Sequence, residues 1–120
     1  MANKSTHKDF LFLFRGGADP KDLTREQMQE VMSNWFVWMG QLKKQKQLKL
    51  GHPLDDGGRT LSGKKGRKVK PFREDKGAVG GYLLIQARNL AQAASIAKGC
   101  PILNNGGTVE VRPIMPMPGL

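Results

Sequence analysis

Only a few residues of this 120-residue chain are of types that carry chemistry on their own, and they are scattered. His52 is one of two histidines, and Asp55 and Asp56 follow it closely. An imidazole titrates near neutral pH. His52 is therefore a candidate general acid or base, with Asp55 or Asp56 to orient the ring. A turn histidine packed against Pro53 is the competing reading, since catalysis needs convergent geometry that spacing does not show. Arg15, Glu110 and Arg112 form a second group. Arginine forks grip carboxylates and phosphates, so these residues would bind an anionic ligand if their side chains meet. An ion-pair cluster at a sheet edge or dimer contact is the plainer alternative. Glu74 follows Pro71-Phe72 and is a third candidate, for the mouth of a cavity or simply for a charged turn entering a strand. Phe72 reads as a core anchor. Cys100, the single cysteine, has no histidine near it in sequence and reads as a buried structural thiol.

The formal net charge is +10, which favours acidic partners. Lys64, Lys65, Arg67 and Lys68, with Lys70, concentrate much of the excess beside Gly63 and Gly66. That run would contact phosphates, and the alternative is a solvated hairpin tip whose charge protects a sheet edge. Two histidines and one cysteine at unrelated positions give no metal-ligand spacing. The Gly-Gly pairs at 16–17 and 106–107 lack both nucleotide-binding fingerprints, and no cofactor is expected. One cysteine permits no disulfide within the chain, which suits a reducing cytosol and a cytoplasmic protein. No apolar run approaches the ~20 residues that span a bilayer, so no membrane partner is expected.

The elements that must position these groups are legible from periodicity. Residues 1–8 read as a loose tail, residues 9–114 as the core of a single domain, and residues 115–120 as a Pro-rich tail. Asp9 to Arg15 alternates as a strand, with Phe10, Phe12 and Phe14 on one face and Leu11 and Leu13 on the other. Thr24 and Gln27 form a capping box that opens a helix, which fades near Gln45 to Gln47. Met28, Val31, Met32, Trp35, Met39 and Leu42 recur at helical spacing. Phe36, Val37 and Trp38 widen that stripe, so part of it should meet other elements or another chain. Leu48 to Leu50 is a short strand closed by Gly51 and Pro53. A hairpin joins 59–62 to 67–70, and Ala78 to Ala87 is a second long strand, with Gly80 and Gly81 marking a bulge or close approach. Asn89 caps a second helix with a small-residue face, Leu90, Ala93, Ala94, Ile96 and Ala97. Gly99 and Pro101 end it, and Thr108 to Arg112 is the last strand.

The order β-α-β-hairpin-β-α-β predicts an α+β, ferredoxin-like βαββαβ fold, a four-stranded antiparallel sheet with the helices on one face. The two long strands are apolar front and back, yet the helices can cover one face only. The other face is therefore expected to meet a second copy, giving a homodimeric α/β barrel.

Several runs together resemble the YCII-related family, in its DGPF-type branch. They are Phe10–Arg15 with Gly16-Gly17, Trp35-Phe36, Gly51-His52-Pro53-Leu54, Pro71-Phe72-x-Glu74-x-Lys76, Val79-Gly80-Gly81-Tyr82, Ala97-Lys98-Gly99-Cys100-Pro101 and the strand ending at Arg112-Pro113. The resemblance covers nearly the whole chain and implies the same fold and a homodimer. It brings no assigned reaction. The family pattern puts Asp-Gly before the Pro-Phe pair, whereas this chain reads Val69-Lys70-Pro71-Phe72. Another branch resembles enzymes that use a His–Asp pair, with the His on the first helix; Trp35 stands near that place here, so the pair does not carry over. The expected function is a ligand-sized cleft between two sheets that binds a small anionic molecule. Any chemistry would be cofactor-free acid–base chemistry by His52 with Asp55, and Arg15, Arg112, Glu110 and Glu74 would hold the ligand. The alternative is a non-catalytic regulatory or nucleic-acid-binding module using the basic loop at 64–70.

Overall fold

The computed structural model describes residues 7–72 and 77–118. Its elements run β1 (Lys8–Arg15), α1 (Arg25–Lys44), β2 (Leu48–Pro53), β3 (Arg59–Ser62), β4 (Lys68–Pro71), β5 (Val79–Ala87), α2 (Leu90–Ala97) and β6 (Thr108–Pro113). Four strands form one antiparallel sheet in the order β2-β5-β1-β6, and β3 pairs only with β4. This is the ferredoxin-like α+β arrangement, with the apolar β1 and β5 as its central strands.

Alternation along those strands builds the core. Phe10, Phe12 and Phe14 of β1 and Leu83, Ile85 and Ala87 of β5 are buried on one face. The helices lie against that face through Trp38 and Leu42 of α1 and Ala93 and Ala97 of α2. Phe12 stacks near Trp38 with ring centroids 6.5 Å apart, and Phe14 meets Trp35 edge-on at 5.1 Å. Full burial of each such side chain stabilises the fold by about 1.5–3 kcal/mol. The small residues of α2 let that helix sit close to the sheet. Its Leu90, expected on the packed face, is exposed instead.

The helix ends follow local chemistry. Thr24 Oγ1 accepts from the Gln27 N–H while Gln27 Oε1 accepts from the Thr24 N–H, closing the capping box. Asn89 Oδ1 accepts from the Gln92 N–H, but Gln92 reaches back to the Arg88 N–H rather than to the cap residue. At the end of α1 the Gln47 N–H bonds to Leu42 O and the Lys46 N–H to Lys43 O, with Lys46 at φ 60°. This is a Schellman closure built on a lysine where glycine is the usual occupant.

Two details differ from the sequence expectation. β2 runs on through Gly51 to Pro53 rather than closing before them. It is an edge strand, where a proline without N–H is tolerated. At Gly51 the strand passes so close to β5 that an added Cβ would lie 2.2 Å from Leu83 Cδ2 and 2.6 Å from Tyr82 O. Phe72, read as a core anchor, is 37% exposed at the base of the β3–β4 ribbon. Every residue of β3 and β4 is exposed, so the ribbon offers it no core to anchor.

Candidate functional site

Among the described residues, both helices pack on the first face of the sheet and neither covers the second. Register puts Leu50, Leu84, Leu11 and Arg112 in one row across the four strands, and His52, Tyr82, Leu13 and Glu110 in the next. Directly opposed residues of antiparallel strands share a face, so all eight belong to this side. Leu11, Leu13, Tyr82 and Leu84 are only partly buried there, and Leu50 is 48% exposed. The centre of the face is thus apolar, with polar groups at its two edges.

On the β6 side three of the expected residues converge. Arg15 Nη1 donates to Glu110 Oε1, and Arg112 Nη1 donates to Glu110 Oε2 at 3.3 Å. Arg15 Nε also donates to Gly77 O at 3.0 Å, which ties the residues entering β5 to this edge. The bond from Arg15, then the bond from Arg112, hold the Glu110 carboxyl below its ordinary value. One carboxylate between two guanidiniums leaves a net positive cluster. Each guanidinium has five N–H donors, and those the carboxylate does not take can meet an anion.

On the β2 side His52 packs on Tyr82, ring centroids 5.8 Å apart and planes at 59°. Cross-strand register, not sequence spacing, brings this phenol to the imidazole, so reading along the chain missed Tyr82 as a site residue. Its position on the non-core face of a central strand was the available signal. Asp55 is not brought to His52 among the described residues; its carboxylate accepts from the Asp56 N–H at 2.8 Å and holds the turn that follows β2. His52 and Glu110 lie three strand spacings apart, about 14 Å. The interval is about right for a small ring between an imidazole–phenol pair and a cationic edge.

The remaining expected residues lie elsewhere. Glu74 falls outside the described residues. Lys64, Lys65, Arg67 and Lys68 are exposed at and beside the tip of the β3–β4 ribbon, which leaves from the end of the sheet where β2 stops. Cys100 is buried, and burial pushes its thiol up to about 11, partly offset by a hydrogen bond with the Ile102 backbone. A thiol so rarely ionised is a poor nucleophile. Among the described residues no cluster of three or more His, Cys, Asp or Glu could hold a metal ion, and no helix is long and apolar enough to cross a membrane. Two surface concavities, of about 700 and 480 Å³, lie at the opposite end of the sheet around Lys8, Lys46, Lys49, Gln86 and Arg88. Neither is lined by the His52–Tyr82 pair or the Arg15–Glu110–Arg112 cluster.

A model of the YCII-related domain matches residues 11–118. Among solved structures, the chain is similar to 5-chloro-2-hydroxyhydroquinone dehydrochlorinase (TftG) from Burkholderia phenoliruptrix AC1100, in complex with 2,5-dihydroxybenzoquinone. The match covers 89% of this chain and 93% of that one, at 17% identity and a TM-score of 0.51. At that identity the likeness is one of fold. No curated protein matches the chain.

Proposed function

The chain belongs to the YCII-related family, and from that premise we propose that it is a homodimer whose two uncovered sheet faces enclose a cleft for a small anionic molecule. The observation that carries this is the open face itself: an apolar floor of Leu11, Leu13 and Leu84 between His52–Tyr82 and Arg15–Glu110–Arg112. A single copy leaves the floor wet, and a second sheet stacked about 10 Å away would roof it. The charge-rich edge would hold a carboxylate or an acidic phenol, and the floor would take a ring. His52 is the acid–base group in this reading and needs no cofactor. Tyr82 rather than Asp55 fixes its ring. The ligand bound in the similar structure, a dihydroxybenzoquinone, is an acidic ring of the size class this arrangement suits.

Calorimetry with 2,5-dihydroxybenzoquinone and with benzoate tests the reading on the full chain. At least one should bind. Arg112→Ala should weaken binding about 10- to 100-fold, the loss of one charge-assisted hydrogen bond. Changing Lys64, Lys65, Arg67 and Lys68 together to Ala should leave it unchanged. No heat with either probe at millimolar concentration, or binding that depends on those lysines and falls steeply with salt, rejects the proposal.

A further inference from the structure

Every residue of β3 and β4 is exposed among the described residues. The ribbon's register opposes Arg59 to Pro71, Thr60 to Lys70, Leu61 to Val69 and Ser62 to Lys68. Alternate pairs fall on alternate faces. One face therefore carries Leu61 and Val69 with Arg59 beside them. The other carries two hydroxyls and two lysines. Leu61 is 62% exposed and Val69 52%. At its base the Phe72 N–H bonds to Gly58 O, and at its tip Lys65 adopts φ 57°, a left-handed conformation disfavoured for a lysine. A lone two-stranded ribbon is at best marginally stable in water. This one is amphipathic, and among the described residues its apolar side is exposed.

A second apolar surface is also exposed among the described residues. Positions 26, 30, 33 and 37 stack along one side of α1. On that side Val37 is 59% exposed, and the neighbouring Phe36 is 62% exposed. Glu26 and Glu30, both exposed, stand on the N-terminal half of the same strip, which ends at Lys44. Between Gly57 and Phe72 the chain has six cations, Arg59, Lys64, Lys65, Arg67, Lys68 and Lys70, and no acid. The two surfaces thus match in both respects, apolar to apolar and basic to the acidic N-terminal half of the strip, and among the described residues the apolar side chains of both are exposed.

Area points the same way. Four strands of six to nine residues present roughly 450 Å² per copy in projection, so sheet-to-sheet stacking covers roughly 900 Å² in all. Stable interfaces bury about 1,200–2,000 Å². A sheet-paired assembly needs further contact, and the ribbon is the largest uncommitted element.

We propose that the β3–β4 ribbon is an arm that lies on the outer face of α1 in a second copy of this chain. Leu61 and Val69 meet Phe36 and Val37, and Arg59 faces Glu26 and Glu30. A second copy is the partner because both complementary surfaces belong to the same sequence and so occur in equal number. This surface is separate from the open sheet face and goes beyond the ligand cleft.

Photo-crosslinking tests it in the full chain. A benzophenone amino acid is placed at position 61, and at position 60 on the other face as a control. Protein labelled with ¹⁴N is mixed with protein labelled with ¹⁵N and irradiated. The expected product is a mixed-isotope peptide pair joining position 61 to residues 26–44, at least tenfold above the yield from position 60. Glu30→Lys should reduce that yield severalfold, and Arg59→Glu in the same chain should restore it. Crosslinks confined to single-isotope pairs, crosslinks to another segment, or equal yields from positions 60 and 61 overturn the arm. So does a 20-base-pair duplex that displaces the crosslink and binds with steep salt dependence, because the occupant is then a polyanion. The sheet-face reading fails separately. If Leu13→Glu leaves the assembly intact while the crosslink persists, the cleft is lost and the arm stands.

Discussion

Replacing Leu13 with glutamate is the most direct challenge to a buried open face. Leu13 stands between Tyr82 and Glu110 in the row that also carries His52. It is partly buried in a single copy. Complete burial of a leucine is worth about 1.5–3 kcal/mol, so covering the part still exposed gives about 1 kcal/mol. A twofold assembly counts the site twice, about 2 kcal/mol of dimer stability. The new carboxylate adds a desolvation penalty of its own, several kcal/mol for an ion taken fully out of water and less beside Arg15. Together these should raise the dimer dissociation constant by at least about 30-fold, with 1,000-fold within range. Sedimentation equilibrium from 1 to 100 μM reads this directly, with circular dichroism as the check that the helices remain. A wild-type chain that is already monomeric across that range would refute the reasoning. So would a folded Leu13→Glu variant whose dissociation constant moves less than about threefold, because a face that accepts a carboxylate freely is in water.

Four further outcomes follow from particular geometry. The Glu110 carboxyl, followed by ¹³C NMR, should titrate below the ordinary glutamate value, and Arg15→Ala should raise that midpoint more than Arg112→Ala does. Because the folded value is depressed, the stabilisation from this group is present at neutral pH and fades only as pH falls from the unfolded value through the folded one; a loss that begins above the ordinary range would contradict the assignment. Lys46→Gly should stabilise the protein by about 0.5–1 kcal/mol in urea unfolding, by relieving a left-handed lysine at the end of α1. Gly51→Ala should destabilise it by about 1–3 kcal/mol, since the new methyl meets the Tyr82 carbonyl as well as Leu83, and a neutral result would mean that β2 and β5 are less tightly apposed. The Cys100 thiol, pushed to about 11 and buried, should resist iodoacetamide at pH 8 in the native protein and react within minutes in 6 M guanidinium.

Much of the fold was legible along the chain because its signals are local. Alternating apolar residues in β1 and β5, the Thr24–Gln27 box and the Asn89 cap each act over a few residues, and the structure places elements where those signals put them. The end of α1 was harder to read, since the left-handed residue there is Lys46 and carries no glycine signature. Leu90 was misread because helical spacing alone does not say where the packed face stops. Phe72 was misread because an aromatic beside a proline looks like an anchor whether or not a core lies beneath it.

The order of residues by itself determined the alternation, the caps and the excess of positive charge, all of which depend on neighbours in the chain. It also determined that two strands would be apolar on both faces. Only the tertiary structure decided what those faces meet. Strand order set His52 against Tyr82, thirty positions away, and laid Glu110 between Arg15 and Arg112. It also left the apolar side of the β3–β4 ribbon exposed among the described residues. Pairings of that kind depend on which edges come together when the sheet closes, and no short-range preference encodes them.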